Sequence, residues 1–438
     1  MLLKTTPERK AVWGWAMYDW ANSAFVTTVM SGFFPVFFKQ YWSYGSDVNL
    51  STARLGFANS LASLAVAISA PVLGAMADTA SAKKKFLIFF AYLGVLMTAG
   101  LFLVHQGDWA WAVFIYVMGI IGFSGANVFY DSLLPTVADR SSIDRVSGLG
   151  FGMGYLGGGL LFALNVAMTR VPHVFGLSSD AEAVRYSFLS VAAWWGLFAL
   201  FLIAWVDEPR RTTVLTFRQA ARAGFGQFIT TFKKIRHYRT VFLFLVAYWF
   251  YIDGVDTVIR MAVDYGLSLG FDDKDLIVAL LITQFVGFPS AILYSRLGEI
   301  WGVRKAIFLA IGAYMAVTVW GIMMTNRTEF YVLAVVIGLV QGGIQALSRS
   351  YYARLIPREQ AGEFFGFYNM LGKFAAIIGP VLMGVVGLIV RRLLMPPSPT
   401  DLERLQIGQL ASRWSIGSIL LLFAVGGILF YFSGRKRD

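Results

Sequence analysis

The sequence predicts an all-α integral membrane protein whose twelve spanning helices form two pseudo-symmetric sets of six. Three observations predict it. The composition is 57% apolar and 16% aromatic with only 14% charged residues, whereas soluble domains run at about half apolar and a quarter charged. Twelve apolar runs approach the roughly 20 residues that a helix needs to cross a hydrocarbon core of about 30 Å. A basic stretch, 207–239, separates the first six runs from the last six.

The runs fall at 12–38, 55–76, 86–104, 109–134, 148–169 and 186–205, then at 241–265, 276–297, 306–324, 330–353, 364–390 and 414–432. An even number puts both termini on one side. With that side cytoplasmic, the inner segments hold 24 of the 37 lysines and arginines, the bias expected of inward-facing loops. The expected domains are a six-helix bundle at 1–206, a cytoplasmic basic linker at 207–239 and a second six-helix bundle at 240–438. The expected location is the cell's inner (plasma) membrane, multi-pass, with both termini cytoplasmic. The opening residues MLLKTTPERK show no cleavable signal, so span 1 is expected to stay in the mature protein.

The net charge of +12 is scattered over short loops. Such scatter favours anionic lipid headgroups over nucleic acid as partners. With no cysteine, disulfides and thiolate sites are excluded. His105, His173 and His237 sit apart in loops. No cofactor is therefore expected, and the absence of a phosphate-binding loop argues against ATP as the driver. The glycine pattern at 152–157 resembles a nucleotide fingerprint but lies inside span 5 after no strand, so those glycines are read as packing elements.

Three pieces of the first half return in the second. The turn after span 2, from Gly74 through Asp78 to Lys83, Lys84 and Lys85, matches the turn after span 8, from Tyr294 through Gly298 to Arg304 and Lys305. Tyr18-Asp19-Trp20-Ala21-Asn22 in span 1 matches Ile252-Asp253-Gly254-Val255-Asp256 in span 7. Gly154-Tyr155-Leu156-Gly157 in span 5 matches Asn369-Met370-Leu371-Gly372 in span 11.

This layout resembles the major facilitator superfamily. Gly74, Asp78 and the basic run from Lys83 resemble its signature after span 2, without the usual glycine and arginine between them. Within it, Tyr18-Asp19-Trp20-Ala21-Asn22-Ser23-Ala24-Phe25 and Phe129-Tyr130-Asp131-Ser132-Leu133-Leu134-Pro135 resemble segments of the autophagy-related vacuolar amino-acid effluxers and their bacterial relatives. The resemblance implies a carrier with a cavity lined by spans 1, 4, 7 and 10 and a small solute, amino acids above all.

Charged and polar side chains concentrate in those four spans, and each costs a few kcal/mol or more unless it has a partner, a wet cavity or a function. Substrate binding or proton coupling is expected of Asp19 and Asn22 in span 1, Asp253, Asp256 and Arg260 in span 7, Gln341 and Gln345 in span 10, and Lys373 in span 11. Spacings of three and four put the span 7 set on one helical face. The rival reading for each is structural: a pinned carboxylate, an Asp256–Arg260 pair, or glutamines that glue helices together. Asp78, Asp131, Arg145, Arg349 and Glu363 lie near cytoplasmic span ends and are read as gate residues.

The function these readings imply is secondary active transport of a small polar or zwitterionic solute by alternating access, coupled to protons, by a monomer. A peptide, drug or lysolipid is the alternative cargo. An enzyme would want an acid/base or metal constellation at one membrane face and none is seen; a receptor would favour a large soluble output domain, and the longest loop is 207–239.

Overall fold

The computed structural model describes residues 6–45, 48–208, 238–269, 271–397 and 400–434, with scattered positions between 219 and 230. Every regular element among them is helical. Hydrocarbon offers the backbone no hydrogen bonds, so a spanning segment must satisfy its own N–H and C=O groups, and a helix does so within one chain segment.

The helices are α1 (Thr6–Ala24), α2 (Val48–Ala80), α3 (Lys83–Gly100), α4 (Trp109–Val137), α5 (Ile143–Arg170) and α6 (Asp180–Trp205). The second half brings α7 (Arg239–Ser268), α8 (Asp273–Trp301), α9 (Val303–Met323), α10 (Arg327–Leu355), α11 (Ala361–Leu394) and α12, in two pieces, Asp401–Ser418 and Leu420–Ser433. Among the described residues, eleven are long and apolar enough to cross a membrane. The remaining predicted run, 364–390, lies within the 34-residue α11.

The chain forms two compact units. Unit 1 comprises Met1–Lys233 with Ile356–Met370, and unit 2 comprises Lys234–Leu355 with Leu371–Asp438. The first ten residues of α11 thus group with the first half, whereas the sequence boundary assigned all of α11 to the second. Most of the predicted linker lies outside the described residues.

In unit 1, α1 packs against α5 and α6. The α5 glycines make the contact close: a Cβ on Gly154 would meet Ser23 Oγ at 2.5 Å, and one on Gly157 would meet the Trp20 carbonyl at 2.5 Å. Beyond Ala24 the helix continues as a π-helix over Phe25–Phe33, an α turn over Phe34–Phe37 and a second π-helix over Phe38–Trp42. Its buried Phe25, Val29, Phe34, Phe38 and Trp42 recur every four or five residues, the spacing that wider i→i+5 winding keeps on one face.

In unit 2, α8 packs on α10 and α7 on α12. Several features repeat those of unit 1. Arg185 of α6 donates from Nε and Nη2 to the Phe102 carbonyl just past α3 at 2.9 and 2.7 Å; Arg413 of α12 donates to the Ile322 and Met324 carbonyls at the end of α9, both at 2.7 Å. Lys84 Nζ donates to the Val206 carbonyl at the end of α6 at 2.7 Å; Arg304 donates to the Phe430 and Tyr431 carbonyls at the end of α12 at 2.9 and 3.2 Å. Each cation meets carbonyls at the end of a helix, where the helix dipole is negative. The helix starts repeat as well: Ser179 caps α6 through the Glu182 amide, and Thr400 caps α12 in a reciprocal box with Glu403.

Candidate functional site

Three polar clusters sit in the spans, two in unit 1 and one in unit 2. The first is built on α1 and α4. Tyr130 donates its hydroxyl to Asp19 Oδ2 at 2.8 Å, while Trp15 Nε1 donates to the Tyr130 carbonyl at 2.9 Å and its ring stacks on Tyr130 with centroids 4.3 Å apart. Trp15 and Tyr130 are thus held in place by stacking and by the backbone, and Tyr130 aims a donor at the half-buried Asp19. One turn on, the buried Asn22 donates from Nδ2 to Asn127 Oδ1 at 2.7 Å.

The second cluster joins α2, α3, α4 and the first turns of α11. Asp78 pairs with Lys83 Nζ at 2.9 Å and accepts from the backbone amides of Gly362 and Glu363 at 3.0 and 2.7 Å. A carboxylate here complements the positive end of the α11 dipole. Gly74 and Gly362 allow it: a Cβ on Gly74 would lie 2.1 Å from the Gly362 carbonyl oxygen, so only a bare backbone lets α2 approach α11 this far. Asp131 accepts from Asn369 Nδ2 at 3.1 Å. Glu208 closes the cluster by accepting from the Lys83 and Lys84 amides at 2.8 and 3.0 Å, a side-chain cap on α3.

The third cluster lies in unit 2, on α7 and α11. Asp253 is fully buried, at 0% exposure. Its Oδ1 accepts from the Gly379 amide at 2.9 Å and from Thr257 Oγ1 at 3.1 Å. Its Oδ2 is buried without a hydrogen-bond partner in acceptable geometry, with the Ile378 amide also turned toward the carboxyl group. Gln341 of α10 is buried and its Oε1 likewise has no partner. Two turns further along α10, Ser348 shares a hydrogen bond of 2.6 Å with Tyr251 of α7 in the core of the unit.

The predicted residues therefore fall into these groups. Asp19 and Asn22 stand together on α1, and Asp78 meets the backbone of Glu363. Asp256 is half-buried one turn beyond Asp253, and Gln345 is half-buried one turn beyond Gln341. Arg349 is buried in α10, Glu363 is buried at the start of α11, and Arg145 is half-buried in the first turn of α5. The side chains of Arg260 and Lys373 lie outside the described residues. Sequence reasoning missed Trp15, Thr257, Gly379 and Glu208. Thr257 was findable, four residues after Asp253 and so on its face; Glu208 was not, because only the fold carries it back to Lys83.

Eleven helices long and apolar enough to cross a membrane among the described residues, in two related halves with ionisable side chains held inside the bundles, define a carrier of the major facilitator class, a multi-pass membrane transporter. Comparison with known proteins agrees. The chain belongs to the family described as "Vacuole effluxer Atg22 like", whose model matches residues 44–143 and 136–389. It is 37% identical over 423 residues to the MFS-type transporter YxiO of Bacillus subtilis (strain 168), covering 95% of this chain and 93% of that one. It is 24% identical over 436 residues to autophagy-related protein 22 of Eremothecium gossypii, covering 86% and 85%. Among solved structures it matches the transporter FucP with a TM-score of 0.69 at 13% identity, covering 98% of this chain and 99% of that one. It matches the human organic anion transporter MFSD10 with a TM-score of 0.65 at 17% identity, covering 96% and 100%.

Proposed function

We propose that this protein is a secondary active carrier that exports a small polar or zwitterionic, amino-acid-like solute by alternating access, with proton coupling through Asp253, in the plasma membrane with both termini cytoplasmic. The observation that carries the reading is Asp253 itself. A fully buried carboxylate inside a spanning helix, with one oxygen bonded and the other without a partner, is a group with room for a proton or a cationic ligand. Asp256, one turn away, adds like charge. Asp19, already supplied with one donor by Tyr130, is assigned to the amine of the solute, and Lys373 or Arg260 to its carboxylate. Gln341 and Gln345 contribute neutral contacts. Asp78, Asp131, Arg145, Arg349 and Glu363 are assigned to the cytoplasmic gate, with Asp78 on the start of α11 as its closing contact.

The test is flux in proteoliposomes, with labelled amino acids set against amphipathic solutes under an imposed proton gradient. Gradient-driven accumulation of the amino acids, lost in Asp253→Asn while exchange at equal pH continues, supports the reading. Accumulation that ignores the gradient in the unsubstituted protein contradicts it. One observation favours a second reading, a cargo with an apolar tail: a shallow, exposed apolar groove between α8 and α10, lined by Val278, Phe285, Leu293 and Leu339. Preference for the amphipathic solutes in the same assay would decide for it.

A further inference from the structure

Asp253 does more than place a charge in the membrane, because it grips α11 where that helix is weakest. Gly379 approaches α7 so closely that a Cβ there would lie 1.8 Å from Thr257 Oγ1 and 2.7 Å from Asp253 Oδ1. The Gly379 amide donates to Asp253 Oδ1 at 2.9 Å. The next residue is Pro380, inside the helix. Its ring has no N–H to donate and crowds the carbonyl four residues earlier, so the helical ladder is interrupted there. A glycine beside a proline is also the least stiff pair of residues that a helix can contain at such a break.

We infer that Gly379-Pro380 is a hinge in α11 and that the carboxylate of Asp253 is its latch. Charged, Asp253 holds the Gly379 amide and keeps the two arms of α11 in line; relieved of its charge by a proton or by a bound cation, it lets go and α11 bends. The inference rests on the reading of Asp253 as the coupling group and adds what the coupling moves. Thr257 is a positioning residue, since its hydroxyl donates to the same oxygen.

On α7 itself the neighbour is Asp256. Of the helices packed against α7, the Leu420–Ser433 piece of α12 has no charged residue, and the Asp401–Ser418 piece carries Asp401, Glu403, Arg404 and Arg413, the last committed to the carbonyls that end α9. From α10 the set is Arg327, Glu329, Gln341, Gln345, Arg349 and Arg354, and from α8 it is Asp273, Lys274, Asp275, Arg296 and Glu299. α11 itself carries Glu363, Lys373, Arg391 and Arg392, and α7 also carries Arg239, Arg260 and Asp264; Lys373 is tested directly.

Hydrogen–deuterium exchange of the full-length protein in lipid nanodiscs reads the latch through the protection of the α11 amides at 374–385. Comparison is made on the acidic and alkaline sides of neutrality after correction for intrinsic exchange. Loss of one charge-assisted hydrogen bond should lower protection there by roughly tenfold or more on the acidic side. Asp253→Asn, which keeps the shape and a neutral acceptor, should stay at the acidic-side value throughout. Pro380→Ala, which restores the ladder, should raise protection and remove the pH difference. A pH difference that survives in Asp253→Asn, or that vanishes in Lys373→Ala while surviving in Asp253→Asn, overturns the inference. Coupled transport lost in Asp253→Asn with α11 protection unaltered overturns the latch and leaves the coupling reading. A pH-responsive α11 with transport indifferent to the proton gradient overturns the coupling reading and leaves the latch.

Discussion

Lys84 in the first half and Arg304 in the second stand 220 residues apart and each binds the carbonyls that end the last helix of its own half. Arg185 and Arg413 do the same for the third helix of each half. Ser179 and Thr400 cap the sixth helices alike. Even the turns agree: Ser81, at φ 48, precedes the third helix of the first half, and Gly302, at φ 93, precedes its counterpart. The polar interiors do not agree. In the first half, Asp19 has a tyrosine donor and Asn22 a partner asparagine. In the second, Asp253 and Gln341 each keep a buried oxygen without a partner. The frame repeats between the halves at the helix ends, where the last carbonyls are answered by cations, and diverges at mid-span in how the carboxylates are held, Asp19 by a tyrosine hydroxyl and Asp253 by a backbone amide.

Variants at the mid-span glycine should break this comparison most severely. Gly379→Ala places a methyl group 1.8 Å from Thr257 Oγ1, so about 1–3 kcal/mol of overpacking is expected, read as a lowered unfolding temperature of the purified protein. Thr257→Ala in the same chain should recover only part of it, because Asp253 Oδ1 at 2.7 Å and the Cβ of residue 257 at 2.8 Å still crowd the added methyl.

The helix-end cations should behave as a matched pair. Arg185→Ala and Arg413→Ala should each cost about 2–3 kcal/mol, since each abandons carbonyls held by a charged donor. Lysine should restore only part of this, because a single ammonium does not reproduce the guanidinium fork. Unequal losses in the two halves would show that the repeat is one of geometry and not of energy. At the helix starts, Ser179→Ala and Thr400→Ala should each cost about 1 kcal/mol.

The smallest effect concerns pH. In the loop between α4 and α5, the hydroxyls of Ser142 and Ser141, aided by their amides, lower the Asp139 carboxyl to about 2. A carboxyl held below its unfolded value stabilises the fold above that value and loses the contribution as pH falls through about 2. Ser142→Ala should flatten this acid-side dependence slightly, as read in thermal unfolding on the acidic side, and leave neutral stability nearly unchanged.

The all-helical membrane architecture was legible in the sequence because hydrocarbon imposes one rule on every span: long apolar runs mark the helices, eleven of which are long and apolar enough to cross a membrane among the described residues. The acids at positions 19 and 253 were legible for the same reason, since a carboxylate in such a run stands out. Their partners were not. Nothing in Tyr130 or Gly379 alone announces a hydrogen bond to an aspartate 111 or 126 residues away. The helix-end cations were seen as loop charges, but their carbonyl partners depend on how sixth and third helices pack. The capping sequences Ser179-x-x-Glu182 and Thr400-x-x-Glu403 were readable and 221 residues apart, and they would have strengthened the internal repeat.

The central claim is that the two halves divide the work, with coupling carried by Asp253 and solute recognition by Asp19. Asp19→Asn and Asp253→Asn, reconstituted side by side and assayed for gradient-driven accumulation and for exchange at equal pH, test it most directly. The account predicts that Asp253→Asn abolishes accumulation and keeps exchange, whereas Asp19→Asn weakens solute affinity in both assays and keeps the response to the gradient. Accumulation that persists in Asp253→Asn and fails in Asp19→Asn would place the coupling acid in the first half and contradict the account.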